Sequence, residues 1–158
     1  DVRRNALSDF TNVRANGKIA MDLPDNVALV NARIATQDDD VMLVTKSGRA
    51  IRFSTNAVRV FKGRKSTGVR GVRLTGDDCV VSMSILRHFE ASSDERAAYL
   101  KMRRAVAGMV DDEGAGTEDE EVSANATISP ERYAEMSAAE NLILTISSRG
   151  SGKLSSSH

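Results

Sequence analysis

Val41-Met42-Leu43-Val44-Thr45-Lys46-Ser47-Gly48-Arg49-Ala50-Ile51-Arg52-Phe53 is an apolar run, a Lys46-Ser47-Gly48 turn, and a return segment carrying Ile51 and Phe53. That order reads as a β-hairpin. Val69 to Leu74 and Val80 to Ile85 read as two more short strands joined by a turn at Gly76-Asp77-Asp78. The pattern recurs along the chain. Asn5-Ala6-Leu7-Ser8-Asp9-Phe10 returns as Asn56-Ala57-Val58-Arg59-Val60-Phe61, an offset of 51 that also sets Gly17 on Gly68. Val41 to Thr45 returns as Leu142-Ile143-Leu144-Thr145-Ile146 at an offset of 101. Four short strands in about 50 residues, repeated, is the arithmetic of propeller-like blades.

The second offset is one period plus about 50 residues, so the segment 88–140 reads as an insertion into the second unit. Ser92 and Glu95 are spaced as a capping box for a helix running to about Met109. Tyr99, Met102, Val106 and Met109 share one face of it. Gly114-Ala115-Gly116 is the expected stop, and Glu118 to Glu121 is an acidic run. Ser129-Pro130 opens a second short helix through about Ala139, with Pro in the favoured first position. The expected fold is therefore all-β with a helical insertion, about two blades of a propeller-like repeat. Its parts are 1–87 (blades), 88–140 (acidic helical insertion) and 141–158 (blade continuation). Two blades leave apolar faces open, and the chain opens at Asp1 without Met, so a piece of something longer is expected.

The 158 residues carry 22 basic and 22 acidic side chains, and the zero sum hides a partition. Residues 1–88 hold 15 Lys/Arg against 9 Asp/Glu, whereas 89–140 hold 5 against 13. Between Asp40 and Asp77 there is no acid, while Lys46, Arg49, Arg52, Arg59, Lys62, Arg64, Lys65, Arg70 and Arg73 all fall there. Nine cations without an anion make an electrostatic footprint for a polyanion. Within it, Gly63-Arg64-Lys65-Ser66-Thr67-Gly68 offers four donors to phosphate between glycines that let a backbone approach closely. Strand alternation would put Arg70 and Arg73 on opposite faces, Arg73 at the surface.

Other chemistry is not supported. Cys79 is alone and reads as a buried strand residue, and His88 has no evident partner cluster. Gly150-Ser151-Gly152-Lys153 lacks the spacing of a phosphate loop, because Ser147 and Leu154 stand where Gly and Ser/Thr are needed, and it reads as a hairpin turn. Tyr99 and Tyr133 are expected to pack rather than react. No catalytic or metal-ligating constellation is visible, and no apolar run approaches the roughly 18 residues of a membrane span.

Thr67-Gly68-Val69-Arg70-Gly71-Val72-Arg73-Leu74, preceded by Val41-Met42-Leu43 and Phe53 to Phe61, resembles the C-terminal domain of the DNA gyrase A protein. Arg49-Ala50-Ile51-Arg52-Phe53 and Gly150-Ser151-Gly152-Lys153 fit the same pattern. The resemblance covers 1–87 and 141–158, and 88–140 is similar to an insertion carried by some bacterial gyrases. It implies part of a six-bladed β-pinwheel whose basic rim wraps double-stranded DNA, so that ATP-driven strand passage introduces negative supercoils. The implied partners are duplex DNA and the gyrase B protein in an A2B2 assembly in the cytoplasm. ATP and Mg2+ would serve the holoenzyme elsewhere, with no cofactor in this chain. The family's hallmark box, Gln-Arg-Arg-Gly-Gly-Lys-Gly, does not occur here, and Ser151 and Leu154 stand where an aromatic and an Arg are common. The homologous domain of topoisomerase IV, a decatenating enzyme, and a propeller-type protein-interaction module are the alternatives. Expected contacts to the DNA backbone are Lys18, Arg49, Arg52, Arg64, Lys65 and Arg73, followed by Arg14, Lys62, Arg70 and Lys153.

Overall fold

Antiparallel pairing across the Lys46–Gly48 turn sets the frame of the first unit. The computed structural model describes residues 1–63, 65–108 and 127–158, and they divide into compact units Asp1–His88 and Phe89–His158. β1 (Asp39–Thr45) pairs with β2 (Ala50–Ser54), Val41 opposite Phe53 and Leu43 opposite Ile51. The Thr45 amide donates to the Arg49 carbonyl at 2.8 Å, and Gly48 takes a φ of +86°, the left-handed region where glycine has no Cβ penalty.

The other edge of β1 is taken by β3 (Val80–Arg87), giving a sheet of order β2-β1-β3. The segment 69–74 departs from expectation. It forms no strand, and only Val69 pairs, in an isolated bridge with Val2. Two contacts explain the difference. Val2 and Val69 exchange both backbone hydrogen bonds (2.8 and 2.9 Å), and Asp78 ties the turn before β3 to the β1–β2 turn. β3 therefore starts beside β1 rather than beside 69–74. Residues 2–4 complete the closure, with Arg4 bridging Val60 in parallel and the Phe61 amide donating to the Arg4 carbonyl at 2.9 Å.

This closure is why Gly68 and Gly71 are glycines. A Cβ on Gly68 would overlap the Val2 carbonyl oxygen, and one on Gly71 would lie 2.8 Å from the Val2 side chain and 3.0 Å from Leu43. The close approach expected of Gly68 toward a ligand is taken up by the protein's own N-terminal segment. Leu43, Val58, Phe61 and Leu86 are the buried apolar residues beneath it.

Two polar clusters pin the ends of this sheet. At the turn end, Asp78 accepts from the Ser47 amide (2.9 Å) and hydroxyl (2.7 Å), the Cys79 amide (3.0 Å) and the Arg49 guanidinium (3.3 Å). The Ser47 hydroxyl above all holds the Asp78 carboxyl well below the usual carboxylate range. Cys79, expected to be buried, is exposed, because it belongs to this turn rather than to the strand. At the other end, buried Asp40 accepts from Arg52 Nε at 2.7 Å and from His88 Nδ1 at 2.9 Å. His88 therefore does have a partner cluster. Its partners lie 48 and 36 residues away in the chain.

In the second unit α1 (Ser93–Val106) begins at the Ser92–Glu95 capping box. It ends three residues earlier than expected, with Gly108 at a φ of +64° just past its end. The expected stop at 114–116, Met109 and the acidic run lie outside the described residues. Tyr99 is buried, but Met102 and Val106 stay exposed, at 36% and 71%. α2 (Pro130–Ala139) is capped by the Ser129 hydroxyl on the Arg132 amide. Glu95 accepts from Arg132 at 2.8 Å, which lowers its carboxyl below the usual range and joins the two helices. Tyr99 packs against Tyr133 with tilted rings and against His158 edge to face, each 5.1 Å between ring centroids, and burial pushes the Tyr99 phenol up. Packing accounts for both tyrosines.

β4 (Leu142–Ile146) and β5 (Gly152–Ser156) form a hairpin of their own. His158 Nε2 donates to the Met136 carbonyl at 2.9 Å, so the helices share a core with the end of this hairpin. Its turn repeats the first: the Ser147 amide donates to the Ser151 carbonyl at 2.8 Å, and Gly150 has the φ of Gly48, +86°. Gly48 onto Gly150 is an offset of 102, one more than the apolar pattern gives. On β4 both alternate sets are largely apolar, so sequence comparison slips by one without penalty, whereas the left-handed glycine fixes the register. The extra residue exchanges the two faces.

Two outcomes follow from these contacts. Replacing Gly68 by Ala sets a Cβ against the Val2 carbonyl at a φ of +116°, which costs about 1–3 kcal/mol for the backbone alone. Thermal denaturation should show a lower Tm, and amide exchange at Val2 and Val69 should speed up. Asp78→Asn tests the turn latch. Because the folded carboxyl sits below its unfolded value near 4, its stabilisation is complete above that pH and fades as the pH falls toward the folded value. Urea midpoints of wild type and variant should differ most from pH 5 to 7, and the difference should shrink progressively as the pH falls below about 4.

Candidate nucleic-acid interface

The loop after Phe61 is where the described cations gather. Phe61 is buried beneath two guanidinium groups, Arg59 at 4.0 Å and Arg3 at 5.1 Å from the ring centroid. This stacking fixes the start of the loop, because the ring is anchored in the core and each cation rests on its π-face. Lys62 and Gly63 then border two depressions. A small one of about 110 Å³ lies toward Arg3, Asp9, Phe10 and Lys18. A wider one of about 510 Å³ is lined by Arg59, Phe61, Lys65 and Ser66. Lys18 is held there, its ammonium 5.5 Å from the Phe10 ring centroid and donating to the Asp9 carbonyl. The structure thus sets Lys18 with Lys62 on one depression and Lys62 with Lys65 and Arg59 on the other. Arg64 lies outside the described residues.

A second group forms at the turn end of the sheet. Arg49 donates to the Arg73 carbonyl at 3.1 Å as well as to Asp78, and its side chain remains half exposed. Arg70 and Arg73 are both exposed. With no strand over 69–74, alternation does not separate them. Arg14 is exposed beyond these groups. In the other unit, Lys153 on β5 is exposed opposite Thr145, with Arg149 exposed in the preceding turn.

Arg52 stands apart from the rest. Its side chain is 18% exposed, paired with Asp40 and donating to the Arg87 carbonyl at 3.3 Å. The fold spends this cation on a buried acid, so it is a support of the sheet and not a surface cation. By contrast Lys62, Lys65, Arg70 and Arg73 have no ion pair among the described residues.

Two features escape a reading of residues one by one. In the sequence Arg3 is one more N-terminal cation, yet it bonds the Gly63 and Ser66 carbonyls. Asp40 and His88, 48 residues apart, carry no mark of their connection. Only the pairing of β1 with both β2 and β3, and the crossing of residues 2–4, reveal these links.

Comparison with known proteins agrees with this geometry. The family described as DNA gyrase C-terminal domain, beta-propeller, matches residues 2–36 and 39–87. The DNA gyrase A protein of Granulibacter bethesdensis is 46% identical over 167 residues, covering 99% of this chain and 18% of that protein. The DNA gyrase A protein of Rickettsia bellii is 38% identical over 162 residues, covering 100% and 17%. That of Salmonella typhimurium is 43% identical over 86 residues, covering 54% and 10%. The chain spans less than a fifth of the length of these relatives. The family match ends at residue 87, beside the boundary between the two compact units. A loop whose described lysines make no ion pair among the described residues is thus found in a chain that belongs to the DNA gyrase C-terminal domain family.

Proposed function

We propose that this chain is part of the DNA-wrapping domain of a gyrase A protein, binding the phosphate backbone of duplex DNA without reading its sequence. The observation that supports this most is the disposition of charge. Lys62, Lys65, Arg70 and Arg73 are exposed without an ion pair among the described residues, while Asp40 and Asp78 are turned to internal partners. Phosphate contacts need point charges spread along a path, and they carry no base information. The cationic loop offers neither an exposed aromatic for stacking nor a helix for a groove.

Bending duplex DNA over tens of base pairs costs on the order of 1–6 kcal/mol. Release of condensed counterions offsets that cost, by a term that falls with salt at a slope of about 0.9 per neutralised phosphate. Wrapping by this domain would fix the sign of the DNA crossing. Strand passage, the ATP hydrolysis that drives it and the Mg2+ that supports cleavage would lie in other parts of an A2B2 enzyme formed with the gyrase B protein. On this reading Arg14, Lys18 and Arg49 extend the path begun by Lys62 and Lys65, and Arg64 and Lys153 are further expected backbone contacts. Arg52 contributes through the sheet it holds.

Two variants of the full-length protein separate these roles. Charge reversal of Lys62 and Lys65 to Glu should weaken binding of a random-sequence duplex at least tenfold in fluorescence anisotropy and flatten its salt dependence. Supercoiling by the holoenzyme should fall while DNA cleavage persists. Equal loss of cleavage would show that these residues do not act through wrapping. Arg52→Ala should act differently. It takes the guanidinium from buried Asp40 and leaves that carboxylate with the His88 Nδ1 contact, at a cost of up to about 3–5 kcal/mol in folding stability, and should leave the salt slope of the folded fraction unchanged.

A further inference from the structure

The cationic loop is closed by a residue that lies outside it in the sequence, Arg3. We infer that Arg3 is a positioning residue for the DNA-binding loop, acting as a clasp that holds Lys62 and Lys65 in place. This rests on the reading of that loop as a phosphate-backbone contact.

Four contacts converge on Arg3. Its Nη1 donates to the Ser66 carbonyl and its Nη2 to the Gly63 carbonyl, so one planar guanidinium ties two points of the loop. Its Nε donates to Asn5 Oδ1 at 2.8 Å, which sets the plane of the fork. Its guanidinium carbon sits 5.1 Å from the centre of the Phe61 ring, on the residue where the loop leaves the core. Each of its three nitrogens makes one of these bonds, so the guanidinium is held in place against the loop. The backbone around it is equally committed, Val2 to Val69 and Arg4 to Phe61.

The chemistry of the guanidinium matters here. Two carbonyls on opposite sides of a turn need two divergent donors in one rigid plane, which Arg supplies and the single ammonium of Lys does not. Without the clasp, Lys62 and Lys65 remain present and charged, but the loop that carries them must be ordered at the moment of binding. Ordering costs affinity without changing the number of phosphates neutralised.

The experiment uses the full-length protein with Arg3→Lys and Arg3→Ala beside a Lys62→Ala/Lys65→Ala comparator. It measures amide exchange across the loop in the free protein, thermal denaturation, and anisotropy of a random-sequence duplex across salt. Arg3→Lys should speed exchange in the loop and weaken DNA binding about five- to tenfold, with the salt slope of wild type. The comparator should lose close to two units of slope. If Arg3→Ala does not fold, Arg3→Lys carries the test with charge retained. Wild-type exchange and affinity in Arg3→Lys would overturn the clasp. So would a slope reduced by about one in Arg3→Ala with exchange unchanged, since Arg3 would then itself touch phosphate. A comparator that binds like wild type would overturn the wrapping reading and this inference with it, whatever the exchange data show.

Discussion

The passage of the Gly68 backbone against the Val2 carbonyl is the contact on which the first unit depends. It exists because neither Gly68 nor Gly71 carries a side chain where the N-terminal segment crosses. Once residues 2–4 lie there, their backbone groups pair with Val69 on one side and Phe61 on the other. The intervening stretch thereby becomes a closed loop, and its cations project from a fixed base. The same crossing brings Val2 close to Gly71, whose neighbour on the sheet is Leu43, the most buried apolar residue of β1. A backbone approach thus links core packing to the placement of surface charge.

What can be read from the sequence divides along the range of the interaction. The hairpin at Val41 to Phe53, the capping box at Ser92 and Glu95, and the Pro-initiated helix are encoded within a few residues, and each forms as read. Most of the failures involve distance along the chain. Val69 to Leu74 has the composition of a strand, but its pairing edge is claimed by Val2, 67 residues earlier. Cys79 has strand neighbours, but the Asp78–Ser47 latch keeps it in a turn. The 101-residue repeat is right in kind and one residue short, because an apolar run on β4 carries no mark of its own register.

The same distinction applies to the candidate site. Nine cations in an acid-free stretch mark the segment, yet composition weights every cation alike. The structure does not. Arg52 is consumed by Asp40, and Arg49 is shared between Asp78 and the Arg73 carbonyl, whereas Lys62, Lys65, Arg70 and Arg73 have no ion pair among the described residues. A tally of basic residues therefore overstates the charge offered to a ligand and misses Arg3, which lies outside the stretch altogether.

This sorting follows from side-chain chemistry. Arginine, with a planar fork that suits carboxylates and carbonyls, takes the internal duties at positions 3, 4, 49 and 52. Lysine, a strongly hydrated point charge on a flexible stem, is left at 62 and 65, where the loop meets solvent. A polyanion with a mobile counterion atmosphere asks for charges that are near a path and can adjust along it, not for fixed bidentate geometry. Four arginines thus build the frame, and the charge that no ion pair among the described residues takes up is left at Lys62 and Lys65 on the loop and at Arg70 and Arg73 beside it.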